Sequence, residues 1–422
     1  MIHIKSHHTP ADAFNFFLNN SVIQYFSSGS YGIIFKAILY PHILDSPYES
    51  FNPHSGYTDL RVIIFKIVFL SDAERSPSYE FDMDDYKFEL FSVTSDSFKK
   101  ETNIQVDIHE KSYDYGEPIC PSVIFSTIIG EDGVLQFDQS LLFNLTKSGG
   151  AGLTIETVSI VHQIDAFVRG REILQMGIIV MEFAENYSML YDILNSRLLN
   201  DGIKQHCINM TLYLLIELYK LGYIHGDHHS ENILINIDYQ GYFGRDISGR
   251  PLIIDFGRTQ LLTEVFSHAK LLELKGLYNR GLYTELLIQL NRYDLTKQNN
   301  KKKYGYASGV YDAIDKIDQR GFPENTNEEI HRMLTLHKET TKLLEKQGDI
   351  ISEQREKATP EEVKKLERIP IYPLDNSDPN PRRVRTYRNK LGGSIKKSRR
   401  KNKKKRKGKT HINRKRTIKN KE

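Results

Sequence analysis

The chain has 422 residues, of which 39% are hydrophobic and 27% are charged. These values suit a soluble globular protein with one large domain and appended segments. The two cysteines, Cys120 and Cys207, are too few for a disulfide framework and have no zinc-ligand spacing around them, which predicts a reducing compartment. The N-terminus lacks the apolar core of a signal peptide, and charges interrupt every long apolar run well short of a membrane span.

Charge is distributed unevenly along the chain. Residues 382–422 contain 21 Lys or Arg and one acidic residue, whereas residues 1–381 contain 37 basic and 53 acidic residues. The net charge of +4 therefore combines an acidic body with a polycationic tail. The tail cannot bury a core, so we predict that it is disordered. Its charge suits nucleic acid or another polyanion, such as an anionic surface or an import receptor; a solvated tail without a partner is the alternative.

The first predicted elements are a short helix over residues 11–20 and two strands joined by a tight turn over residues 25–37. The turn contains Gly29 and Gly32, where the backbone can approach phosphate groups and direct its N–H groups at them. A plain hairpin turn without a ligand has the same pattern.

A segment with three prolines over residues 40–57 precedes a buried strand over residues 61–70. Lys66 lies within this otherwise apolar strand. A lysine in this position either has a buried anionic partner or extends its ammonium group to solvent at the strand edge. A surface loop is predicted over the aspartate-rich residues 72–86, and apolar residues near helical spacing predict a helix over residues 98–108.

The middle of the chain contains two more predicted strands and two helices. Residues 118–127 and 177–186 predict the strands, and the second strand ends in an acidic loop, here called the hinge. Residues 128–176 form a longer connection than the neighbouring strands and helices require, and we assign no structure to them. Helical stretches follow over residues 188–199 and 202–221.

The stretch His225–Gly257 carries the strongest functional signal. Within it Asp227, Asn232 and Asp255 offer a carboxylate, an amide oxygen and a second carboxylate. Phosphoryl transfer from ATP uses one carboxylate to orient and deprotonate the attacking hydroxyl, and an amide and a carboxylate to hold Mg²⁺. Each short motif alone is an ordinary loop, but the motifs seldom occur together in this order by chance.

The His-Gly-Asp, Asn and Asp-Phe-Gly elements resemble the catalytic loop and the metal-binding loop of the protein-kinase superfamily. Gly226, with His229 two residues past the aspartate, makes the loop more similar to atypical members: Rio-type, aminoglycoside, choline and lipopolysaccharide kinases. The resemblance covers roughly residues 20–290. It implies an α+β, bilobal fold, in which a small antiparallel β-sheet lobe with one main helix precedes a larger, mostly helical lobe. It also implies ATP and Mg²⁺ as cofactors.

The resemblance assigns roles to the catalytic residues. Asp227 is expected to act as the base on the acceptor hydroxyl, and Lys66 to contact the α- and β-phosphates. Glu101 is expected to pair with Lys66, with Glu110 as the alternative in another register and an exposed, unpaired glutamate as the third possibility. His229 is expected to bind the γ-phosphate when protonated.

Nucleotide and metal binding follow from the same resemblance. The hinge backbone is expected to bind adenine, the glycine turn to approach the phosphates, and Asn232 and Asp255 to hold Mg²⁺. The expected nucleotide-binding residues are Gly29, Gly32, Ile34, Lys66, Glu182, Ala184 and Leu234.

The sequence departs from the family pattern in four places. Ser27 replaces the first glycine of the turn, and Ile64 replaces the small residue above adenine. The Ala-Pro-Glu element that anchors a peptide-positioning segment is not found after Gly257. Gly226 replaces the arginine that clasps a phosphorylated activation loop, so switching by such phosphorylation is not expected. The last two departures weaken the expectation of a protein substrate.

The predicted organisation has six segments. These are an N-terminal extension (1–20), a kinase-like N-lobe with insertions (21–184), a kinase-like C-lobe (185–320), a polar helical extension (321–358), a linker (359–381) and the basic tail (382–422). Insertions are expected at about residues 38–60 and 239–249. The polar extension is expected at a solvated edge rather than in a core.

We therefore expect an ATP- and Mg²⁺-dependent phosphotransferase that acts on Ser or Thr hydroxyls of proteins. The alternatives are a small-molecule kinase, a catalytically inactive kinase-fold scaffold, and a nucleic-acid-packaging protein that binds through its tail. A cytoplasmic or nuclear location is expected. The composition and the basic tail resemble those of large DNA virus proteins, which implies a host cell or a virion.

Overall fold

A computed structural model describes residues 9–40, 62–72, 77–83, 86–114, 118–147, 154–185, 187–236, 251–298 and 326–335. All of these residues belong to one compact unit, Met1–Asn376, and a second unit, Ser377–Glu422, lies outside the described residues. The predicted linker, the basic tail and the insertion at residues 239–249 therefore also lie outside the described residues, as does most of the insertion at residues 38–60.

The described part of the chain is rich in strands at its start and in helices at its end. The helices are α1 (Pro10–Asn19), α2 (Ser95–Asp114), α3 (Glu131–Lys147), α4 (Ile155–Arg169), α5 (Leu190–Asn195), α6 (Asp201–Lys220), α7 (Leu262–Val265), α8 (His268–Asn279), α9 (Tyr283–Gln298) and α10 (326–335). The strands are β1 (Ser21–Gly29), β2 (Gly32–Leu39), β3 (Val62–Phe69), β4 (Ser78–Asp82), β5 (Lys87–Phe91), β6 (Val123–Ile129), β7 (Met176–Glu182), β8 (Tyr187–Met189), β9 (Tyr223–Ile224), β10 (Ile233–Asn236), β11 (Pro251–Ile253) and β12 (Gln260–Leu261).

The largest sheet has five strands in the order β1-β2-β3-β7-β6, and every neighbouring pair is antiparallel. The neighbouring strands β3 and β7 are rich in apolar, β-branched residues and are buried at nearly every position. The register places Lys66 of β3 between Ile34 of β2 and Ile179 of β7. This combination of helices with an antiparallel sheet is compatible with the α+β class.

Helices α1, α3 and α4 cover one face of this sheet. Residues of β3 alternate between its two faces, and Phe65 and Ile67 share a core with buried residues of the three helices. Val68 faces the opposite side, where it packs with Phe98 of α2. Residues 128–176, which had no assignment from the sequence, therefore supply α3 and α4, and part of the predicted N-terminal extension supplies α1.

Side chains of α3 and α4 also cap the edge strand β1. Asn144 of α3 accepts a hydrogen bond from the Ile23 N–H at 3.2 Å, and Thr157 of α4 accepts one from the Tyr25 N–H at 2.8 Å. The Asn144 amide donates to the carbonyl oxygens of Leu18 and Ser21 at 2.9 and 2.7 Å. The helical layer is therefore joined to the sheet edge by hydrogen bonds as well as by apolar packing.

A hairpin of β4 and β5 braces the turn between β1 and β2. The Phe91 N–H donates to the Ser30 carbonyl oxygen at 2.8 Å, and the Tyr31 and Phe91 rings lie 6.3 Å apart. The hydroxyls of Tyr25 and Tyr86 are 3.3 Å apart. The sequence predicted only a surface loop over residues 72–86. The buried residues Tyr79 and Phe81, which pack under α4, give this segment its strand structure.

A second hydrophobic core contains helices α5, α6, α8 and α9 together with the short strands β9, β10 and β11. Most residues in the second half of helix α6 are buried. Asn200 caps the N-terminus of α6, where its side chain accepts a hydrogen bond from the Ile203 N–H at 3.0 Å. Helix α10 also joins this core through the fully buried Ile330. The first part of the predicted polar extension is therefore a core element and not a solvated edge.

Helix α2 contacts both the second core and the face of the sheet opposite α1, α3 and α4. Phe98 near its start packs with the sheet, while Ile104 and Ile108 belong to the second core. Gly177 of β7 permits this packing, because a Cβ atom there would lie 2.5 Å from the Phe98 ring. The position of α2 is therefore fixed from both sides.

Three further observations bear on the sequence predictions. Cys120 and Cys207 are both buried and free. No helix among the described residues is long and apolar enough to cross a membrane. Asn144 and Asn209 each begin an Asn-x-Thr triplet, and both side chains are buried.

Candidate functional site

Lys66 is the centre of the candidate site. Its ammonium nitrogen lies 2.5 Å from Glu101 Oε1 and 3.4 Å from Asp255 Oδ1. These three residues come from β3, from α2 and from the loop after β11, so the fold brings distant parts of the sequence together. The Lys66 side chain is 12% exposed, which identifies a buried, paired ammonium group rather than a lysine extending to solvent.

Two carboxylates determine the charge state of Lys66. Burial alone would lower its pKa, but Asp255 and Glu101 outweigh burial and raise the pKa above its ordinary value. Lys66 in turn lowers the pKa of Asp255 more than burial raises it. Lys66 and Asp255 are therefore both expected to be charged at neutral pH.

Helix α2 presents Glu101 rather than Glu110 to Lys66. Glu101 is buried and bonded to Lys66, whereas Glu110 is exposed on the same helix. Two buried side chains hold α2 in register against the segment that precedes β6. Gln105 Nε2 donates to the Pro121 carbonyl oxygen at 3.1 Å, and the His109 ring is 3.0 Å from the Cys120 carbonyl oxygen.

The loop between β9 and β10 positions Asp227. Gly226 has a φ of 77°, a conformation that favours glycine. The His225 ring then lies between two backbone groups: Nδ1 accepts from the Asp227 N–H at 3.3 Å, and Nε2 donates to the Ile254 carbonyl oxygen at 3.1 Å. Burial and the neighbouring His228 lower the pKa of His225 to about 3. A neutral His225 therefore fastens the Asp227 loop to the strand that leads to Asp255.

Asn232 lies between the same two segments. Its side-chain Nδ2 donates to the backbone carbonyl oxygen of Asp227 at 2.9 Å, and its backbone carbonyl oxygen accepts from the Ile254 N–H at 3.0 Å. Because the amide nitrogen is used in this way, the side-chain oxygen is directed elsewhere and can serve as a ligand.

Asp255 has an unusual backbone conformation, with a φ of 64°. A left-handed conformation is tolerated by aspartate but costs free energy, and such strain is concentrated at functional sites. The Asp255 side chain is 44% exposed, so part of its carboxylate faces open space while one oxygen contacts Lys66.

Asn232 and Asp255 carry an amide oxygen and a carboxylate, which are oxygen ligands of the kind that Mg²⁺ prefers. Magnesium commonly takes one or two protein oxygens and completes its octahedron with water and substrate phosphates. Among the described residues, no group of three or more His, Cys, Asp or Glu side chains is placed to hold a metal ion. Such a group is not needed for a Mg²⁺ ion that arrives with a nucleotide.

Two nitrogen-bearing side chains face the Asp227 carboxylate. Arg258 Nη1 lies 3.6 Å from Asp227 Oδ2, and His229 Nε2 lies 4.0 Å from Asp227 Oδ1. Burial lowers the pKa of His229 more than Glu231 and Asp255 raise it, so His229 is neutral at physiological pH. The expectation of a protonated His229 on the γ-phosphate is opposed by this shift. The sequence analysis did not predict a role for Arg258. The available clue was that a positively charged residue directly follows the Asp-Phe-Gly motif.

Gly32 of the glycine turn packs directly against Lys66. A Cβ atom at Gly32 would lie 3.1 Å from Lys66 Cε and 3.1 Å from the Ile67 carbonyl oxygen, whereas a Cβ atom at Gly29 would meet nothing within 4 Å. Ile34 pairs with Lys66 across the strands. The turn, Ile34 and the lysine therefore lie together on one side of the sheet.

Some polar groups of the hinge are already hydrogen-bonded within the protein. The Glu182 side chain points inward, where Oε2 accepts from the Ser122 N–H at 3.2 Å, and the Glu182 N–H donates to the Ser122 carbonyl oxygen at 3.0 Å. The Glu182 N–H is thus not available to a nucleotide. The Ala184 carbonyl oxygen accepts from the Tyr187 N–H at 3.4 Å.

A narrow pocket adjoins the hinge. Its lining residues are Pro121, Glu182, Phe183, Ala184, Tyr187 and Leu252. Leu234, expected beneath adenine, lies beside this pocket because it pairs with Leu252 across β10 and β11. Lys36 Nζ lies 4.2 Å above the Phe183 ring, and the Phe26 ring meets Phe183 edge-on at 5.8 Å.

The structure thus brings the predicted residues into two adjoining groups. One contains Lys66, Glu101, Asp255 and Gly32, and the other contains Asp227, His229 and Asn232. No protein-family model matches the sequence, and no curated protein matches it. Function must therefore be inferred from the site itself.

Proposed function

We propose that this chain is an ATP- and Mg²⁺-dependent phosphotransferase with a bilobal, protein-kinase-like fold. The observation that supports this proposal most strongly is Lys66, a buried ammonium group shared by Glu101 and Asp255 beside the loop that carries Asp227. A lysine held in this way offers one point charge to phosphate oxygens while a separate carboxylate contacts the acceptor.

The roles of the residues follow from their positions. Lys66 contacts the nucleotide phosphates, and Glu101 keeps its ammonium group from turning away. Asn232 and Asp255 hold Mg²⁺, which neutralises charge on the phosphates when it is bound. Asp227 accepts or directs the proton of the acceptor hydroxyl, and His225 fixes the backbone around it.

The acceptor in our proposal is a hydroxyl group, with protein Ser or Thr as the candidate that the sequence analysis favours. One structural observation favours a small hydroxylated molecule as the second candidate. Only Arg258 and Thr259 separate Gly257 from β12, and α7 begins at Leu262, so the chain there is too short to form a peptide-positioning segment.

The test is an assay of phosphate transfer from ATP to a panel of proteins and hydroxylated metabolites. The isosteric variants Asp227→Asn and Asp255→Asn each remove one charge. Asp227→Asn is expected to lower kcat by about 10²–10⁴-fold, the usual contribution of a general base. Asp255→Asn is expected to abolish Mg²⁺-dependent ATP binding. The exposed change Asp132→Asn serves as the matched control and should leave both properties unchanged.

Three outcomes are informative. Turnover by Asp255→Asn at the rate of the unmodified chain would disprove the proposed metal site. Mg²⁺-dependent ATP binding without turnover would support an inactive scaffold. Transfer to metabolites but not to proteins would decide in favour of the second candidate acceptor.

A further inference from the structure

Arg258 occupies a fixed position beside the proposed base. It follows Gly257 in a turn closed by the Thr259 N–H, which donates to the Phe256 carbonyl oxygen at 3.0 Å. The Thr259 hydroxyl donates to the His225 carbonyl oxygen at 3.2 Å. The backbone on the C-terminal side of Arg258 is therefore hydrogen-bonded both to the metal-binding loop and to the loop that carries Asp227.

The Arg258 side chain extends from this turn toward Asp227. Its Nη1 lies 3.6 Å from Asp227 Oδ2, and the side chain is 26% exposed, compared with 11% for Asp227. The guanidinium group is thus partly withdrawn from water, where its charge acts more strongly than on an open surface. A rigid turn and a partly buried head group together restrict where the charge can lie.

The other nearby nitrogen groups are less suited to act at this position. Lys66 is bound by Glu101 and Asp255. His229 Nε2 lies 4.0 Å from the Asp227 carboxylate, farther than Arg258 Nη1 at 3.6 Å. Arginine stays protonated at every physiological pH, and its planar group can contact a carboxylate and a phosphoryl oxygen together. Among the described residues that contact Asp227, Arg258 is therefore the permanent cation.

We propose that Arg258 is a further catalytic residue, which contacts the transferring phosphoryl group from the acceptor side. This inference rests on the proposed function. A group within 3.6 Å of the base lies next to the acceptor oxygen that the base touches. As the bond from the acceptor oxygen to the γ-phosphorus forms, the bond from that phosphorus to the β-phosphate oxygen breaks. The hydroxyl proton passes to Asp227, ADP leaves, and Arg258 stabilises the negative charge on the phosphoryl oxygens in the transition state, when the group has moved toward the acceptor.

The experiment compares Arg258→Ala, Arg258→Lys and Arg280→Ala with the unmodified full chain. Arg280 is exposed at the end of α8 and provides the matched loss of an arginine. Arg258→Ala is expected to lower kcat for phosphate transfer by about 10²–10³-fold, the range for losing one preorganised charge-stabilising group. The Kd for ATP with Mg²⁺ should stay unchanged, because Lys66 and Asp255 bind the nucleotide. Arg280→Ala should behave as the unmodified chain does.

Chemical rescue separates a catalytic role from a structural one. Added guanidinium chloride, at concentrations that do not unfold the protein, should restore part of the activity of Arg258→Ala and none of that of Asp227→Asn. Arg258→Lys should retain an intermediate kcat. Full activity of Arg258→Ala would overturn the inference, as would a loss that neither guanidinium nor lysine relieves. If the unmodified chain transfers no phosphate, the proposed function and this inference both fail, whereas an active Arg258→Ala beside an inactive Asp227→Asn overturns the inference alone.

Discussion

Lys66 places a full positive charge where water has little access, and its two carboxylate partners make this possible. Removing one partner from a buried ion pair typically costs about 3–5 kcal/mol, because the remaining charge loses its compensation. At Lys66 the second partner, Asp255, is also the proposed metal ligand. We therefore expect the two partners to differ in role: Glu101 retains the lysine, and Asp255 exchanges it for a metal cation.

Glu101→Gln tests this division of roles. The change keeps the shape of the side chain but removes the charge, so Lys66 should shift toward Asp255 and away from the phosphates. We expect kcat/KM for ATP to fall roughly a hundredfold, as for a misplacement of about 1 Å in an active site. Glu110→Gln, on the exposed side of the same helix, is the control. Equal losses in the two variants would show that the ion pair with Lys66 is irrelevant.

A second residue-scale prediction concerns Asp138 of α3. Burial, together with a hydrogen bond and repulsion from Asp165 of α4, raises the pKa of Asp138 from 3.8 to about 7. The folded protein therefore keeps this proton over a range in which the unfolded chain has lost it. By linkage, the free energy of unfolding should decline as the pH rises across this interval.

Asp138→Asn should remove this decline and raise stability at the upper end of the interval. Urea denaturation at several pH values measures it, with the exposed Asp132→Asn on the same helix as the control. A decline that persists unchanged in Asp138→Asn would assign it to other groups.

The sequence predicted which charged residues form the site, but it did not predict where their side chains point. Motif order placed Lys66, Asp227, Asn232 and Asp255 in a common site, because family patterns specify residue types at fixed positions along the chain. The inward turn of Glu182 and the contact of Arg258 with Asp227 depend on side-chain rotamers, which a linear pattern does not specify. The pKa of His229 depends on burial, which appears only once the surrounding elements are packed.

At the scale of elements, α2 determines whether the site is assembled. It carries Glu101 between an apolar anchor at Phe98 and a second anchor at Ile104 and Ile108. Its sequence shows helical spacing, so its existence was predictable. The close approach to β7 was not predictable, because it depends on a glycine opposite one aromatic ring in a strand far along the chain.

Gly177→Ala should disrupt this approach. The added Cβ atom would lie 2.5 Å from the Phe98 ring, so α2 or β7 must shift. Overpacking of this kind typically costs about 1–3 kcal/mol. We also expect nucleotide affinity to fall, because a shift of α2 withdraws Glu101 from Lys66.

The control is Gly276→Ala in α8, where a Cβ atom meets nothing within 4 Å. That change should stabilise the protein by about 0.5–1 kcal/mol, because glycine is unfavourable within a helix. Thermal or urea denaturation of both variants gives the comparison. A Gly177→Ala protein as stable as the unmodified chain would show that the Phe98 contact is easily rearranged.

For the whole molecule, the helical layer over the sheet was the largest omission of the sequence analysis. The spacing of Val134, Phe137 and Leu141 in α3 is helical and was available as a signal. The surface against which α3 packs could not be predicted. Amphipathic spacing shows that one face of a helix is buried, but it does not show which element covers that face. The same limit applied to α10, whose buried Ile330 has mostly polar residues before it in the sequence.

Ile330→Ala tests whether α10 belongs to the folded body. The side chain is fully buried in the second core, so its truncation should lower the free energy of unfolding by about 2–5 kcal/mol. Glu328→Ala, exposed on the same helix, should change it by less than about 0.5 kcal/mol. Equilibrium urea denaturation provides the measurement. Similar values for both variants would place α10 outside the cooperative unit.

The capped edge of the sheet has a consequence for how the protein meets its neighbours. A bare outer strand is a template on which an extended peptide, or a second molecule, can add another strand. Asn144 and Thr157 occupy the amide groups of Ile23 and Tyr25 that such an addition would use. A peptide that adds a strand at this edge, or a fibril that grows from it, would first have to displace these two buried side chains.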